Sequence, residues 1–324
     1  MKACILAYRR IRRSKPLYLE LMEAMKKRFG SVLFIPIEHV SMNVSNDGIE
    51  VKYRNRRLED FDAILPRIGP SYVPFGYLVL KELEGKVYFP NKPEAYLIAS
   101  NKFYTLMKLR KAKLPVPKTF LSIERRVAKS ICKELRGPSI ILKRLGKSGG
   151  RGVVFAKDIS SAYTIIDALP HARGGQIFIE EYLPNPGEDI RLFVIGKEVA
   201  ACMRRIAKKD EIRSNIHAGG KGESFTPTKR MQRIAVRAAK AIGADICGVD
   251  IIVSNKKPFV IECNMNPGFY ISKVTGVNLF DRIAEFVYQN TPKPKFVPMI
   301  ERFGETFVER IRDLMEIFKD LKKR

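Results

Sequence analysis

The chain has 324 residues, of which 45% are hydrophobic and 29% charged, with a formal net charge of +26. That balance fits a folded protein of two or three lobes. No apolar stretch nears the roughly 20 residues that span a bilayer, and the short run Ala3 to Ala7 is followed by arginines rather than by a signal-peptide pattern, so a cytoplasmic protein with no membrane partner is expected.

Cys4, Cys132, Cys202, Cys247 and Cys263 are scattered and read as small buried residues. His39, His171 and His217 are too dispersed for a metal cluster, so zinc is not expected. The basic excess favours an acidic partner: a nucleic acid, a polyanionic metabolite or an acidic polypeptide. Abundant Lys, Arg and Glu, with no tryptophan, is also compatible with a thermophile.

In chain order, residues 2–8 predict a strand, 16–28 a helix ended by Gly30, and 32–36 a second strand. Glu50 to Tyr53 flanks a turn at Asn46-Asp47-Gly48, and 61–66 is a third main strand. This alternation suggests a small α/β domain to about residue 93. Residues 94–112 follow a single helical pattern, stopped by Leu114-Pro115-Val116-Pro117. Strands are expected at 140–143, 176–180, 189–195 and 198–206, and helices at 159–169, 227–242 and 278–288. Beyond the linker Pro292 to Lys295, Phe303, Phe307, Ile311, Leu314, Phe318 and Leu321 recur at helical spacing, which predicts a terminal helix over about 299–323.

Lys143 to Val153 joins two apolar strands through Gly146, Gly149, Gly150 and Gly152. Glycines let backbone N–H groups approach a phosphate, and Lys143 supplies a point charge. The loop is neither a Walker A motif nor a dinucleotide fingerprint, because a strand follows it. A basic surface loop is the plainer alternative. Glu180-Glu181-Tyr182-Leu183 ends a strand at a hinge that could serve an adenine or be an ordinary strand end. Asp189-Ile190-Arg191 puts an acid and a base on one strand face. Arg204 and Arg205 close the next strand, and Arg213-Ser214-Asn215 follows. Arginines clamp carboxylates or phosphates bidentately, so this concentration argues for a site.

The most chemically specific run is Phe259 to Gly268. Glu262 and Asn264 lie two apart at the end of an apolar strand, and Asp250 sits on an earlier apolar strand. Asn255 to Pro258 reads as the hairpin turn between them. Asp250, Glu262 and Asn264 could thus converge as hard oxygen ligands suited to Mg²⁺ and a substrate phosphate.

Together these motifs resemble the ATP-grasp superfamily and, within it, the RimK-type α-L-glutamate ligases, over about residues 1–290. Asp62 to Gly69 is similar to that family's first-domain signature, and Asn266-Pro267-Gly268 completes its metal signature. The resemblance implies an α/β ATP-grasp fold with an N-terminal pre-ATP-grasp domain and, here, an extra C-terminal helix. The expected divisions are 1–93, 94–181, 182–291 and 292–324. Lys102 and Lys143 would be the nucleotide lysines, and Gly149, Gly150 and Gly152 would belong to the mobile loop. Glu180, Glu181, Tyr182 and Leu183 would hold the adenine, with Asp189 and Arg213 also at the nucleotide.

Asp250, Glu262 and Asn264 would bind magnesium, two ions being expected and Mn²⁺ an acceptable substitute. Arg191, Arg204, Arg213 and Asn215 would be catalytic. The implied activity is ATP-dependent joining of L-glutamate to an acidic carboxylate acceptor through an acyl phosphate. A homo-oligomer, dimer or tetramer, is expected from the same resemblance. A more basic loop, with Lys147 and Arg151, and the terminal helix set this chain apart. Phe269-Tyr270 would either line the acceptor pocket or pack in the core. Ligases of another amino acid or of a carrier-protein or peptide acceptor stay open as alternatives. A basic RNA-associated protein is less favoured, because no stacking-aromatic module is evident.

Overall fold

The structure, a computed structural model, describes residues 1–8, 16–135, 139–144, 153–169, 175–185, 187–207 and 220–293. Three largely apolar strands begin the architecture. β1 (Lys2–Ala7) pairs in parallel with β2 (Ser31–Pro36) on one side and β6 (Ala63–Arg67) on the other. Burial on both faces of β1 and β6, and of the second half of β2, explains the continuous apolar runs. α1 (Pro16–Lys26) links the first two, and β3 (Val40–Ser45), β4 (Gly48–Tyr53) and β5 (Arg56–Arg57) form a separate antiparallel sheet. α2 (Val73–Glu82) follows β6 in a stretch where no element was expected; its Pro74 is tolerated in the first turn.

The helix expected over 94–112 is two helices, α3 (Pro93–Ser100) and α4 (Lys102–Lys111). Asn101 adopts an extended backbone, and its side-chain oxygen accepts the Tyr104 N–H at 3.0 Å. An asparagine oxygen that caps the next helix offers the backbone an alternative to continuing the last one. The break makes Lys102 the first residue of α4.

Two antiparallel sheets follow. The first runs β7–β10–β8–β9, from β7 (Thr119–Ser122), β8 (Ile140–Arg144), β9 (Val153–Ala156) and β10 (Ile177–Glu181). It is backed by α5 (Arg125–Glu134), which was not expected, and α6 (Ile159–Ala168), around a core of its own that includes Ile131, Leu142, Ile166 and Ile179. The second runs β13–β12–β11–β14–β15, from β11 (Glu188–Ile195), β12 (Glu198–Ile206), β13 (Lys221–Ser224), β14 (Ile246–Ser254) and β15 (Lys257–Asn264). α7 (Lys229–Ile242) covers one face of this sheet. Its Ile234, Ala235, Ala238 and Ala239 join Leu192, Cys202, Val249 and Cys263 in the larger core, which also takes in β1, β6, α3 and α4. α8 (Tyr270–Thr275) and α9 (Leu279–Asn290) complete the described chain. The terminal helix expected over 299–323 lies outside the described residues. Among the described residues, no helix is long and apolar enough to cross a membrane.

Candidate active site

The five-stranded sheet has two faces, and alternation assigns them different jobs. Ile190, Leu192, Val249 and Cys263 face the helices. Asp189, Arg191, Asp250 and their cross-strand partners face the other way. Cross-strand pairing lines these residues up: Asp189 lies opposite Arg205, Arg191 opposite Asp250, and Asp250 opposite Glu262. Asn264 pairs with Gly248 on the same face, one step along.

That row depends on a β-bulge. The turn residues Asn255 and Lys256 have φ of +48° and +62°, a two-residue hairpin geometry that sets Ser254 opposite Lys257 and Ile251 opposite Val260. Continued without interruption, this register would put Ile261 opposite Asp250 and send Glu262 to the helix face. The shift between Asp250 and Ile251 inserts one residue and turns Glu262 and Asn264 to the side of Asp250.

The row is wired by charged hydrogen bonds. Arg191 Nε and Nη2 donate to the two oxygens of Asp250 at 2.7 and 2.6 Å. Arg205 donates from Nε and Nη2 to Asp189 at 2.5 and 2.7 Å, and from Nη2 to Asp250 at 2.8 Å. Asp189, Arg205 and Asp250 are 5%, 2% and 2% exposed. Burial alone would raise the Asp250 carboxyl, but Arg191 and Arg205 outweigh it and hold the pKa down at about 2. Burial disfavours the charged Arg205 too, yet its two carboxylates raise its pKa above the usual arginine value.

Lys102 connects this sheet to its neighbour. Its ammonium lies 3.1 Å from Glu262 Oε2, and it also feels Glu180 of β10. Burial works to lower its pKa, but Glu262, with Glu180 and Asp250 adding, raises it above the ordinary lysine value. Glu180 is buried, and Glu181 accepts the Lys118 backbone N–H at 2.7 Å. Tyr182 packs edge-on against Phe155, and the Leu183 carbonyl accepts from Asn185 Nδ2 at 2.9 Å. Asn185 Oδ1 in turn accepts from the Glu188 N–H, which shapes the entry to β11.

The chain after β15 folds back over the row. Asn264 Oδ1 accepts the Asn266 N–H at 2.8 Å. Arg67, at the C-terminal end of β6, donates to the Pro267 carbonyl at 2.8 Å and lies 4.7 Å over the Phe269 ring. Phe269 is buried between Phe193 and Phe280, so it packs in the core, whereas Tyr270 is exposed. Among the described residues, no hydrogen-bond partner meets Arg67 Nε or the buried Asn266 Oδ1.

Two family models match the sequence. A RimK PreATP-grasp domain matches residues 1–96, and a RimK-like ATP-grasp domain matches residues 99–287. A probable alpha-L-glutamate ligase of Picosynechococcus sp. is 34% identical over 284 residues, 87% of this chain and 94% of that protein. One from Haemophilus influenzae is 39% identical over 238 residues, 72% of this chain and 78% of that protein. The chain belongs to the RimK family of ATP-grasp proteins. Solved structures share the fold. A RimK domain ATP-grasp protein from Sphaerobacter thermophilus superposes with a TM-score of 0.66 at 20% identity, covering 89% of this chain and 99% of that one. The macrocyclase MdnC from Microcystis aeruginosa, bound with its precursor peptide, gives 0.66 at 14% identity, covering 90% of this chain and 100% of that one.

As a RimK-family ATP-grasp protein, the chain is an ATP-dependent ligase of carboxylates and amines. The structure brings Lys102, Glu180, Asp189, Arg191, Asp250, Glu262 and Asn264 of the expected set together. It does not bring Arg204 to the row. Arg204 alternates with Arg205, faces the other side of β12, and pairs with Glu223 at 3.1 Å and Glu188 at 3.7 Å. Gly149, Gly150, Gly152, Arg213 and Asn215 lie outside the described residues, as does the side chain of Lys143.

Arg205 belonged to the arginine concentration expected at the site but was given no role there, and Arg67 was not expected in the site at all. The first was legible as the cross-strand complement of Asp189; the second depends on the fold of the N-terminal sheet. No cysteine is poised as a nucleophile among the described residues. Cys263, a free thiol hydrogen-bonded to the Cys247 thiol and buried on the helix face, has its pKa pushed well above the usual value.

The RimK-family fold implies magnesium, and the donors suit it. Among the described residues no group of three His, Cys, Asp or Glu could hold a metal. The set is instead two carboxylates and an amide, all hard oxygen. Asp250 Oδ1 accepts one bond, from Arg191 Nε, so a lone-pair direction is left. The partnerless Asn266 Oδ1 adds another buried oxygen beside Asn264.

Proposed function

We propose that the chain joins the amine of L-glutamate to a carboxylate of an acidic acceptor. The acceptor carboxylate oxygen attacks the γ-phosphorus of ATP, which forms an acyl phosphate and releases ADP. The glutamate nitrogen then attacks the acyl carbon, loses a proton, and expels phosphate as the amide forms. The observation that carries this reading is the row Asp189–Arg205–Asp250–Arg191 with Glu262 and Lys102 beside it.

Asp250, Glu262 and Asn264 are the residues that would hold magnesium, as two ions in our reading. Bound there, the metal would supply positive charge to the transferring phosphoryl group. The protein's own side chains do the rest. Lys102 stays protonated across the neutral range and places a fixed cation between the two sheets. Arg191 is held flat by Asp250 through Nε and Nη2 and is the less buried of the row's two arginines, so its Nη1 side is the one presented to an incoming carboxylate. Arg205 positions Asp189 and Asp250 and touches no substrate. Glu180, Glu181, Tyr182 and Leu183 supply a partly apolar wall for the adenine at the C-terminal end of β10, an interior strand of the four-stranded sheet. Lys143, Arg213, Asn215 and the glycines of the loop complete the nucleotide site in this proposal.

ADP release measured with each of the twenty amino acids, with and without acidic acceptors, tests it. Glutamate should stimulate release and appear in the product by mass. Stimulation by another amino acid and not by glutamate would overturn the assignment.

A further inference from the structure

A second concave feature lies on the helix side of the five-stranded sheet. It is a groove of about 600 Å³ between α4 and α7, walled by Arg110, Lys113, Arg230, Arg233 and Arg237. Its floor is aliphatic, with Leu114, Pro115, Val116 and Ile234. All five basic residues are exposed. The ten residues of α4 carry four basic side chains and the fourteen of α7 carry five, and neither helix has a single acid.

This is not simply how a basic protein distributes its charge. A smaller cavity of about 340 Å³ is lined by Arg28, Arg282, Glu198, Asp281 and Glu285, and there both arginines are paired. Lys81 and Lys86 are likewise paired with glutamates. Among the described residues, no carboxylate lies within salt-bridge distance of the five groove cations. Lys229 and Arg230 also occupy the first turn of α7, where a helix dipole disfavours cations and where no acid offsets them. Like charges collected around a concavity without counterions are what an anionic ligand would relieve.

We infer that this groove docks an acidic polypeptide segment of the acceptor, an inference that rests on the ligase reading above. Arginine forks suit carboxylates, and an aliphatic floor suits the backbone and methylenes of a peptide. The lining has no aromatic ring on which bases could stack, which disfavours a nucleic-acid strand.

Position adds to the chemistry. α4 starts at Lys102 in the site and reaches the groove at Arg110, about 12 Å along a helix that rises 1.5 Å per residue. The groove floor is tied to the metal-ligand strand by the Val260 N–H, which donates to the Pro115 carbonyl at 2.9 Å. The groove lies on the helix face, whereas Asp250 and Glu262 lie on the other. The docked segment is therefore not the reacting carboxylate but a part of the same molecule. About four extended residues would cover the length of α4 between the two.

The test uses the full chain and a fluorescent decaglutamate peptide, with binding followed by anisotropy at low salt. R230E/R233E should weaken binding by about thirtyfold, while R282E, at the paired cavity, should stay within about twofold. ATP affinity should be unchanged in both variants, which checks their folding. Equal peptide affinity in R230E/R233E and the unaltered chain would overturn the docking site. So would an oligothymidylate of equal charge that displaces the peptide at lower concentration. Failure of glutamate to stimulate ADP release in the unaltered chain would instead overturn the proposed reaction, and the anisotropy experiment would still decide whether the groove takes an acidic peptide.

Discussion

Asp250→Asn separates the structural role of the charged row from its chemistry. Asp250 accepts three N–H bonds, at 2.7, 2.6 and 2.8 Å, while 2% exposed. Asparagine offers one acceptor oxygen and turns an amide NH₂ toward the remaining donors. Arg205 keeps its two bonds to Asp189, so the loss falls mainly on Arg191. Breaking a buried pair from one side costs about 3 kcal/mol, and for a protein of this size that lowers Tm by roughly 6–12 °C. Glu262→Gln is the control. Glu262 is 38% exposed and makes one ion pair with Lys102, worth under about 1 kcal/mol after solvent screening.

Calorimetry without nucleotide should therefore show a large fall for D250N and a small one for E262Q, while both lose ADP release. The pH dependence is also set. The folded pKa of Asp250 is depressed to about 2, so its contribution is complete above the unfolded carboxylate range and is lost as pH falls from about 4 toward 2. The Tm gap should hold from pH 8 to 5 and narrow below about pH 4. A D250N Tm within about 1 °C of the unaltered chain would refute the account of the buried row. So would a gap that closes between pH 8 and 6.

Three further outcomes follow from the geometry. Lys102→Met should lower ADP release by roughly a hundredfold or more, as removal of a charge-stabilising donor does. The unaltered enzyme should show no loss of that cation up to pH 9, because Lys102 titrates above the ordinary lysine value; a pH–rate profile checks both. Gly248→Ala would place a Cβ 2.9 Å from Pro267 Cβ, so the loop that follows Asn264 and carries Asn266 must move. Such overpacking costs about 1–3 kcal/mol, and ADP release should fall further than thermal stability alone explains. Chelation of divalent metal should abolish ADP release, and magnesium should restore it; turnover that survives chelation would remove the role given to Asp250, Glu262 and Asn264.

Much of the fold was legible because its strands are short apolar runs between strong turn signals. β1, β2, β6 and the β14–β15 hairpin all fall where alternation and the Asn255 turn place them. α2 and α5 were missed. α5 carries five charged residues in ten, and its apolar face makes sense only against the four-stranded sheet. The helix expected at 94–112 broke because one capping bond at Asn101 outweighed a continuous helical pattern, and that break aims Lys102 at Glu262.

By itself the sequence singled out the candidates: the hard oxygens of Asp250, Glu262 and Asn264 and the arginines upstream, with Lys102 added by the family resemblance. Residue type alone limits what a side chain can bind. Only the tertiary structure decided which of them meet. A bulge of one residue puts Glu262 on the face of Asp250, strand alternation brings Arg205 to that face and turns Arg204 away, and Arg67 arrives from a different sheet. Side chains on a strand change faces with every residue, so a single inserted position reverses the assignment, and spacing along the chain does not reveal it.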